Sequence, residues 1–134
     1  MQASTAASPL QSAKLTAFAA TTDAARCRAF YEGKLGLRVV HENAYMLILD
    51  SGGVWLMMQK APEMTPVPRT VVGWRVRDID ATVKALAAAG VSVEHYPWIK
   101  QEDGIAEFPD GSRVAWFNDP DGNIVSVSSA SYDA

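Results

Sequence analysis

The sequence predicts an α+β fold made of two βαβββ modules in one chain. Two observations predict it. First, a strand-like run, a helix stopped by a glycine and three further strand candidates occur twice in the same order, separated by a segment with three prolines, Ala61 to Pro68. The second is the run Trp116-Phe117-Asn118-Asp119-Pro120-Asp121-Gly122-Asn123-Ile124-Val125-Ser126. Pro120 pre-sets φ at the second turn position, Asp119 offers a carboxylate to the turn's own backbone, and Gly122 takes the positive φ that closes a tight hairpin between two apolar strands.

The first module takes residues 13–60, after a tail of residues 1–12. Leu15 to Thr21 reads as a strand, poorer in β-branched residues than its counterpart in the second module. Thr22-Asp23 is a helix N-cap signal. Ala24 to Lys34 carries good helix formers with Cys27, Phe30, Tyr31 and Leu35 on one face, and Gly36 stands where a left-handed C-terminal cap belongs. Strands follow at Arg38–Glu42, Tyr45–Asp50 and Val54–Gln59, the last two joined by Ser51-Gly52-Gly53.

Residues 61–68 form the proline-rich link, and the second module takes residues 69–130. Thr70 to Val76 is its first strand. Asp78 caps a helix over Ile79 to Ala89, with Ile79, Val83, Leu86 and Ala87 on one face, and Gly90 stops it. The remaining strands are Val91–Tyr96, Ile105–Phe108 with Arg113–Asn118, and Ile124–Ser128. A unit of about 60 residues buries too little surface to stand alone, so the modules share a core or pair across a dimer.

Composition narrows the functional classes. The chain has 134 residues, 49% hydrophobic and 20% charged, as in ordinary globular domains. A net charge of −3 leaves no basic footprint for nucleic acid. One cysteine excludes a disulfide framework and a cysteine-rich zinc site. No apolar run approaches the ~18 residues of a membrane span. The small, polar opening residues lack the basic and apolar regions of a secretory signal and read as a flexible tail, so a cytoplasmic location is expected.

Three motifs carry a family resemblance: the Asp119-Pro120-Asp121-Gly122-Asn123 turn, the helix ending Phe30-Tyr31…Leu35-Gly36, and Val76-Arg77-Asp78-Ile79-Asp80 before the second helix. Over about residues 14 to 130 the chain resembles the vicinal oxygen chelate superfamily, which includes glyoxalase I, extradiol dioxygenases and the bleomycin- and fosfomycin-resistance proteins. The resemblance implies curled mixed sheets forming an open cup, the glyoxalase/bleomycin resistance-like fold. Strand alternation then places Val72, Trp74 and Val76 on the helix side and Val71, Gly73 and Arg75 toward the cup, with Thr16, Phe18 and Ala20 as the first-module equivalents; Val125 and Val127 face the helix, and Ile124, Ser126 and Ser128 the cup.

Metal-dependent relatives hold a divalent ion with a His or Gln opening each module's first strand and a Glu on each module's last. The matching positions here are Thr16, Val71 and Ser126, and on the last strand of the first module Gln59 is the sole oxygen donor. Hydroxyls, an alkyl group and one amide are poor donors for a catalytic divalent ion, so no metal cofactor is expected. Both glyoxalase-type isomerisation and extradiol cleavage lose support with it.

The remaining candidates point to binding. Trp55, Trp98, Trp116, Phe18, Tyr45 and Tyr96 lie on or beside cup-forming strands, as walls for an apolar or planar ligand or as core packing. Arg75 is a clamp for an anionic group or an ordinary ion-pair partner. His41 and His95 occupy similar places early in the second strand of each module, facing each other or a ligand or standing at exposed strand ends, and Cys27 reads as core. Glu107 is a general-base candidate, against a solvated strand edge, and a metal-free catalyst would use it or a histidine. The expected ligand-binding set is Thr16, Phe18, Gln59, Arg75, Trp98, Trp116 and Ser126. The function expected from the resemblance is small-molecule binding by a metal-free homodimer; the alternative is a glyoxalase-like lyase or isomerase, or a dioxygenase-related enzyme, with displaced or absent metal. Neither a nucleic-acid nor a membrane partner is expected.

Overall fold

A computed structural model describes residues 8–130; the first seven residues of the expected tail lie outside the described range. The elements run β1 (Thr16–Thr21), α1, β2 (Arg38–Glu42), β3 (Met46–Ser51), β4 (Val54–Lys60), β5 (Thr70–Arg75), α2 (Ile79–Ala88), β6 (Ala106–Glu107), β7 (Arg113–Asn118) and β8 (Ile124–Ser129). Helix α1 begins as an α-helical turn, Ala24–Arg28, and continues as a π-helix, Ala29–Lys34. Two four-stranded mixed sheets result, ordered β1-β4-β3-β2 and β5-β8-β7-β6, each with its first strand parallel to its last. This is the expected α+β architecture.

The caps explain both helices. The Asp23 carboxylate accepts from Arg26 N at 3.1 Å, and Asp78 accepts from Ala81 N at 3.0 Å. The π segment was not expected from the sequence. Leu35 N donates to Phe30 O at 3.0 Å, one residue further back than in an α-helix, and this wider turn keeps both Phe30 and Tyr31 buried. Gly36 closes the helix at φ +76°.

One core serves both modules. Cys27, Phe30 and Tyr31 from α1 join Leu47, Leu49, Leu56 and Met58 from the first sheet and Ile79, Phe117, Val125 and Val127 from the second module. Edge strands β1 and β5 lie against each other where the sheets meet. That seam is pinned by side chains. Trp74 Nε1 donates to Ser51 Oγ at 2.9 Å at one end. At the other, the Asp119–Asn123 turn reaches across: Tyr31 OH donates to Asp119 at 2.7 Å, Thr21 OH to Asp121 at 2.6 Å, and Asn123 Nδ2 to Ala20 O at 2.9 Å.

The expected strand Val91–Tyr96 does not form, and the strand expected at Ile105–Phe108 shortens to Ala106–Glu107. The two segments compete for one edge of β7. β6 pairs Ala106 with Val114 and Glu107 with Arg113, leaving Glu94 N a bond to Trp116 O at 2.7 Å. Past that point the chain leaves the sheet, and the Gln101 side chain takes the backbone groups that a strand partner would have taken.

Candidate functional site: an open sheet face with an aromatic wall

Pleating divides each sheet into a buried and an open face. In the first sheet Leu56 and Met58 point into the core, while their neighbours Trp55 and Phe18 remain 42% and 53% exposed. Register places Thr16 beside Trp55, Phe18 beside Met57 and Ala20 beside Gln59, so Thr16, Phe18 and Gln59 share the open face. Thr16 and Trp55 also line a cavity of about 300 Å3 with Lys14, Leu15 and Gly53.

In the second sheet, Gly73, Ser126 and Trp116 form one row across β5, β8 and β7. Gly73 has a local reason. A Cβ there would stand 2.8 Å from Ser126 Oγ, so the absent side chain leaves the floor of the row low. Trp116 rises at its end and begins an aromatic array. Tyr96 meets it edge-on, with ring centroids 5.5 Å apart, and Trp98 stacks on Tyr96 at 4.6 Å with planes 18° apart. Trp98 is 76% exposed. Burial, and then the charge of Glu94, push the Tyr96 phenol above its usual range, so it is a neutral wall.

The sequence candidates therefore fall on two sheets: Thr16, Phe18 and Gln59 on the first, and Arg75, Trp116 and Ser126 on the second with Trp98 at its rim. Arg75 sits opposite Ser128 and also lines a groove of about 250 Å3 with Trp74, Thr82 and Leu86. Glu107 is exposed and pairs in register with Arg113, whose guanidinium grips Asp80 of α2 at 2.8 and 3.1 Å. His41 and His95 are exposed. Cys27 is fully buried, and burial above all pushes its thiol up to about 12, which leaves no thiolate for chemistry at neutral pH.

Sequence reasoning missed Gln101. Its amide makes three hydrogen bonds within the segment that carries Tyr96 and Trp98. A lone glutamine in a polar loop has no periodic signature. The nearest sequence signal was Gly104, which adopts φ +82° against Val93.

The resemblance matches Thr16, Val71, Gln59 and Ser126 to the metal ligands of the superfamily, and the donor chemistry of these residues can be read directly. Thr16, Val71 and Ser126 present two hydroxyls and an alkyl group, and Gln59 an amide on an exposed strand face. This set contains no imidazole or carboxylate and does not fit a divalent catalytic ion.

Comparison with solved structures gives the fold independent support. Lactoylglutathione lyase from Agrobacterium tumefaciens aligns over 88% of this chain and 93% of its own at 21% identity, with a TM-score of 0.69. A glyoxalase/bleomycin resistance protein/dioxygenase from Alicyclobacillus acidocaldarius aligns over 91% and 93% at 19% identity, TM-score 0.70. A glyoxalase family protein from Bacillus anthracis aligns over 88% and 94% at 18% identity, TM-score 0.69. A search of curated proteins found no match. The family model described as Glyoxalase/Bleomycin resistance protein/Dioxygenase superfamily matches residues 14–127, which is most of the chain and both modules, and the chain belongs to that superfamily.

Proposed function

We propose that this protein binds a small planar organic ligand on the open face of its second sheet, without a metal, as a homodimer. The observation that carries the reading is the Trp116–Tyr96–Trp98 array that begins at the end of the Gly73–Ser126 row, where Gly73 carries no side chain. An aromatic wall beside a glycine and a serine suits a flat apolar ring with few polar groups. The unsuitable donor set at the superfamily's metal positions supports the metal-free part. The exposed Phe18 and Trp55 on the first sheet support a second copy that covers this face and completes the cup. Among the described residues no helix is long and apolar enough to cross a membrane, and the net charge of −3 gives no support for nucleic acid. A cytoplasmic location fits this reading. Catalysis through Glu107 has no comparable support, because its register partner Arg113 ties that position to α2.

The test is a thermal-shift screen of planar aromatic compounds, followed by titration of the best one. Trp116→Ala or Trp98→Ala is expected to weaken binding about tenfold, the ~1.4 kcal/mol of a lost stacking face. Metal analysis of protein purified without chelator is expected to find no stoichiometric ion. Stoichiometric zinc, nickel, manganese or iron bound at Thr16, Gln59 or Ser126 would sink the reading, as would a screen in which no planar compound shifts the melting temperature.

A further inference from the structure

We infer that Gln101 is the positioning residue of this site: its side-chain amide takes the place of a neighbouring strand and holds the Tyr96–Trp98 stack against Trp116. The binding consequence rests on the function proposed above; the geometric claim does not. Gln101 Oε1 accepts from Tyr96 N at 2.9 Å, and Nε2 donates to Glu94 O at 2.9 Å and to Gly104 O at 2.8 Å. One planar amide thus satisfies a donor and an acceptor two residues apart on the same segment, as a β-partner does, and ties that segment to the far end of its own loop.

The need for it follows from the sheet. β6 occupies the edge of β7 at Val114 and Arg113, so the chain at Tyr96 has no ladder to join. Glu94 N is bonded to Trp116 O, and two residues later the backbone is held by Gln101. The rest of the loop is braced to match: Glu102 and Ile105 exchange backbone bonds at 2.9 Å each, and Ile99 N reaches Tyr96 O at 3.4 Å. Trp98, exposed and stacked at 4.6 Å on Tyr96, is therefore presented by a loop whose inner fixture is a side chain. A ligand surface that must be rigid before the ligand arrives needs such a support.

The experiment compares wild type, Gln101→Leu and Gln101→Glu. In the ligand-free protein, ring-current shifts of the Trp98 indole protons report the stack, with Tyr96→Leu as the unstacked reference. Coumarin serves as the planar probe for affinity. Gln101→Leu is expected to move the Trp98 signals to the unstacked reference and to weaken coumarin binding about tenfold. Gln101→Glu keeps the acceptor for Tyr96 N and loses both donors, so it is expected to fall between the two. Gln101→Met, of similar length, replaces the leucine variant if that one does not fold. Unchanged Trp98 shifts in a folded Gln101→Leu or Gln101→Met protein would overturn the assignment. Intact wild-type stacking with no binding of coumarin counts against the proposed function alone, since the shift comparison still decides the role of Gln101.

Discussion

Replacing Asp119 by alanine is expected to cost about 3–5 kcal/mol of folding stability, a large share of the ~5–15 kcal/mol that holds a domain of this size. Asp119 is 4% exposed, and its carboxylate accepts from Tyr31 OH at 2.7 Å and from Asp121 N, Asn123 N and Asn123 Nδ2 at 2.9 Å each. Removing it strands those donors in the interior, where each unmet partner costs about 1–3 kcal/mol. It also cuts the tie between α1 and the second module. Asp119→Asn is expected to cost less, because one acceptor oxygen remains. Urea unfolding of the two variants measures both, and a loss below about 1 kcal/mol for the alanine variant contradicts the account.

The neighbouring carboxylate gives the same turn a pH signature. The Asp121 side chain is 1% exposed, and burial opposes its ionisation, yet bonds from Thr21 OH, Thr22 N and Thr22 OH together with the charge of Arg26 outweigh that and hold it below its ordinary value of 3.8. A depressed carboxylate stabilises the fold fully above its unfolded value and loses that contribution as pH falls through the folded one. The melting temperature is therefore expected to drop on acidification below pH 3.8, and Asp121→Asn to flatten that part of the curve.

The second large effect is expected at Gly104. Alanine there places a Cβ in overlap with Val93 Cγ2 and holds a side chain at φ +82°. Strained backbone and overpacking together are expected to cost about 2–4 kcal/mol and to disorder the loop that carries Trp98. The overlap is with one side chain that packs on the core, so the test is a double-mutant cycle. Val93→Ala combined with Gly104→Ala is expected to recover part of the loss, leaving the φ penalty. Simple additivity of the two single losses would show that Val93 is not the obstruction.

Most of the architecture was legible before any coordinates. The glycines at 36, 90 and 122 do adopt positive φ, and Asp23 and Asp78 do cap the helices. Alternation in β1 separated Ala17 and Ala19, packed on the core, from exposed Phe18. What failed was the segment Val91–Tyr96. Its alternation is a genuine strand pattern, but a strand also needs a free ladder, and Ala106–Glu107 takes it. A period of 3.6 could not distinguish an α-turn from the π-turn at Ala29–Lys34, because Phe30 and Tyr31 are adjacent apolar residues under either reading.

The candidate site was less legible. Thr16, Gln59 and Ser126 came from position in a pattern, and Trp98 and Trp116 from their chemistry, but their arrangement depends on pairings across the second module. The role of the Asp119–Asn123 turn was half visible. Its closing geometry is local and readable, whereas Tyr31 as its partner is a tertiary fact with no local trace.

That partnership has a kinetic consequence. Tyr31 and Asp119 are 88 positions apart, and Thr21 and Asp121 are 100. The β3–β4 and β7–β8 hairpins can close within their own modules, but the seam has to wait for a long loop to close around it, at an entropic cost that local hairpins do not meet. Bonds of that kind are expected to form on the native side of the folding barrier, and a φ-value near zero for Asp119→Asn in stopped-flow folding is the check. Weakening them should leave the folding rate nearly unchanged and show almost wholly as faster unfolding, so the Asp119–Asn123 turn governs how long the molecule stays folded rather than how quickly it gets there.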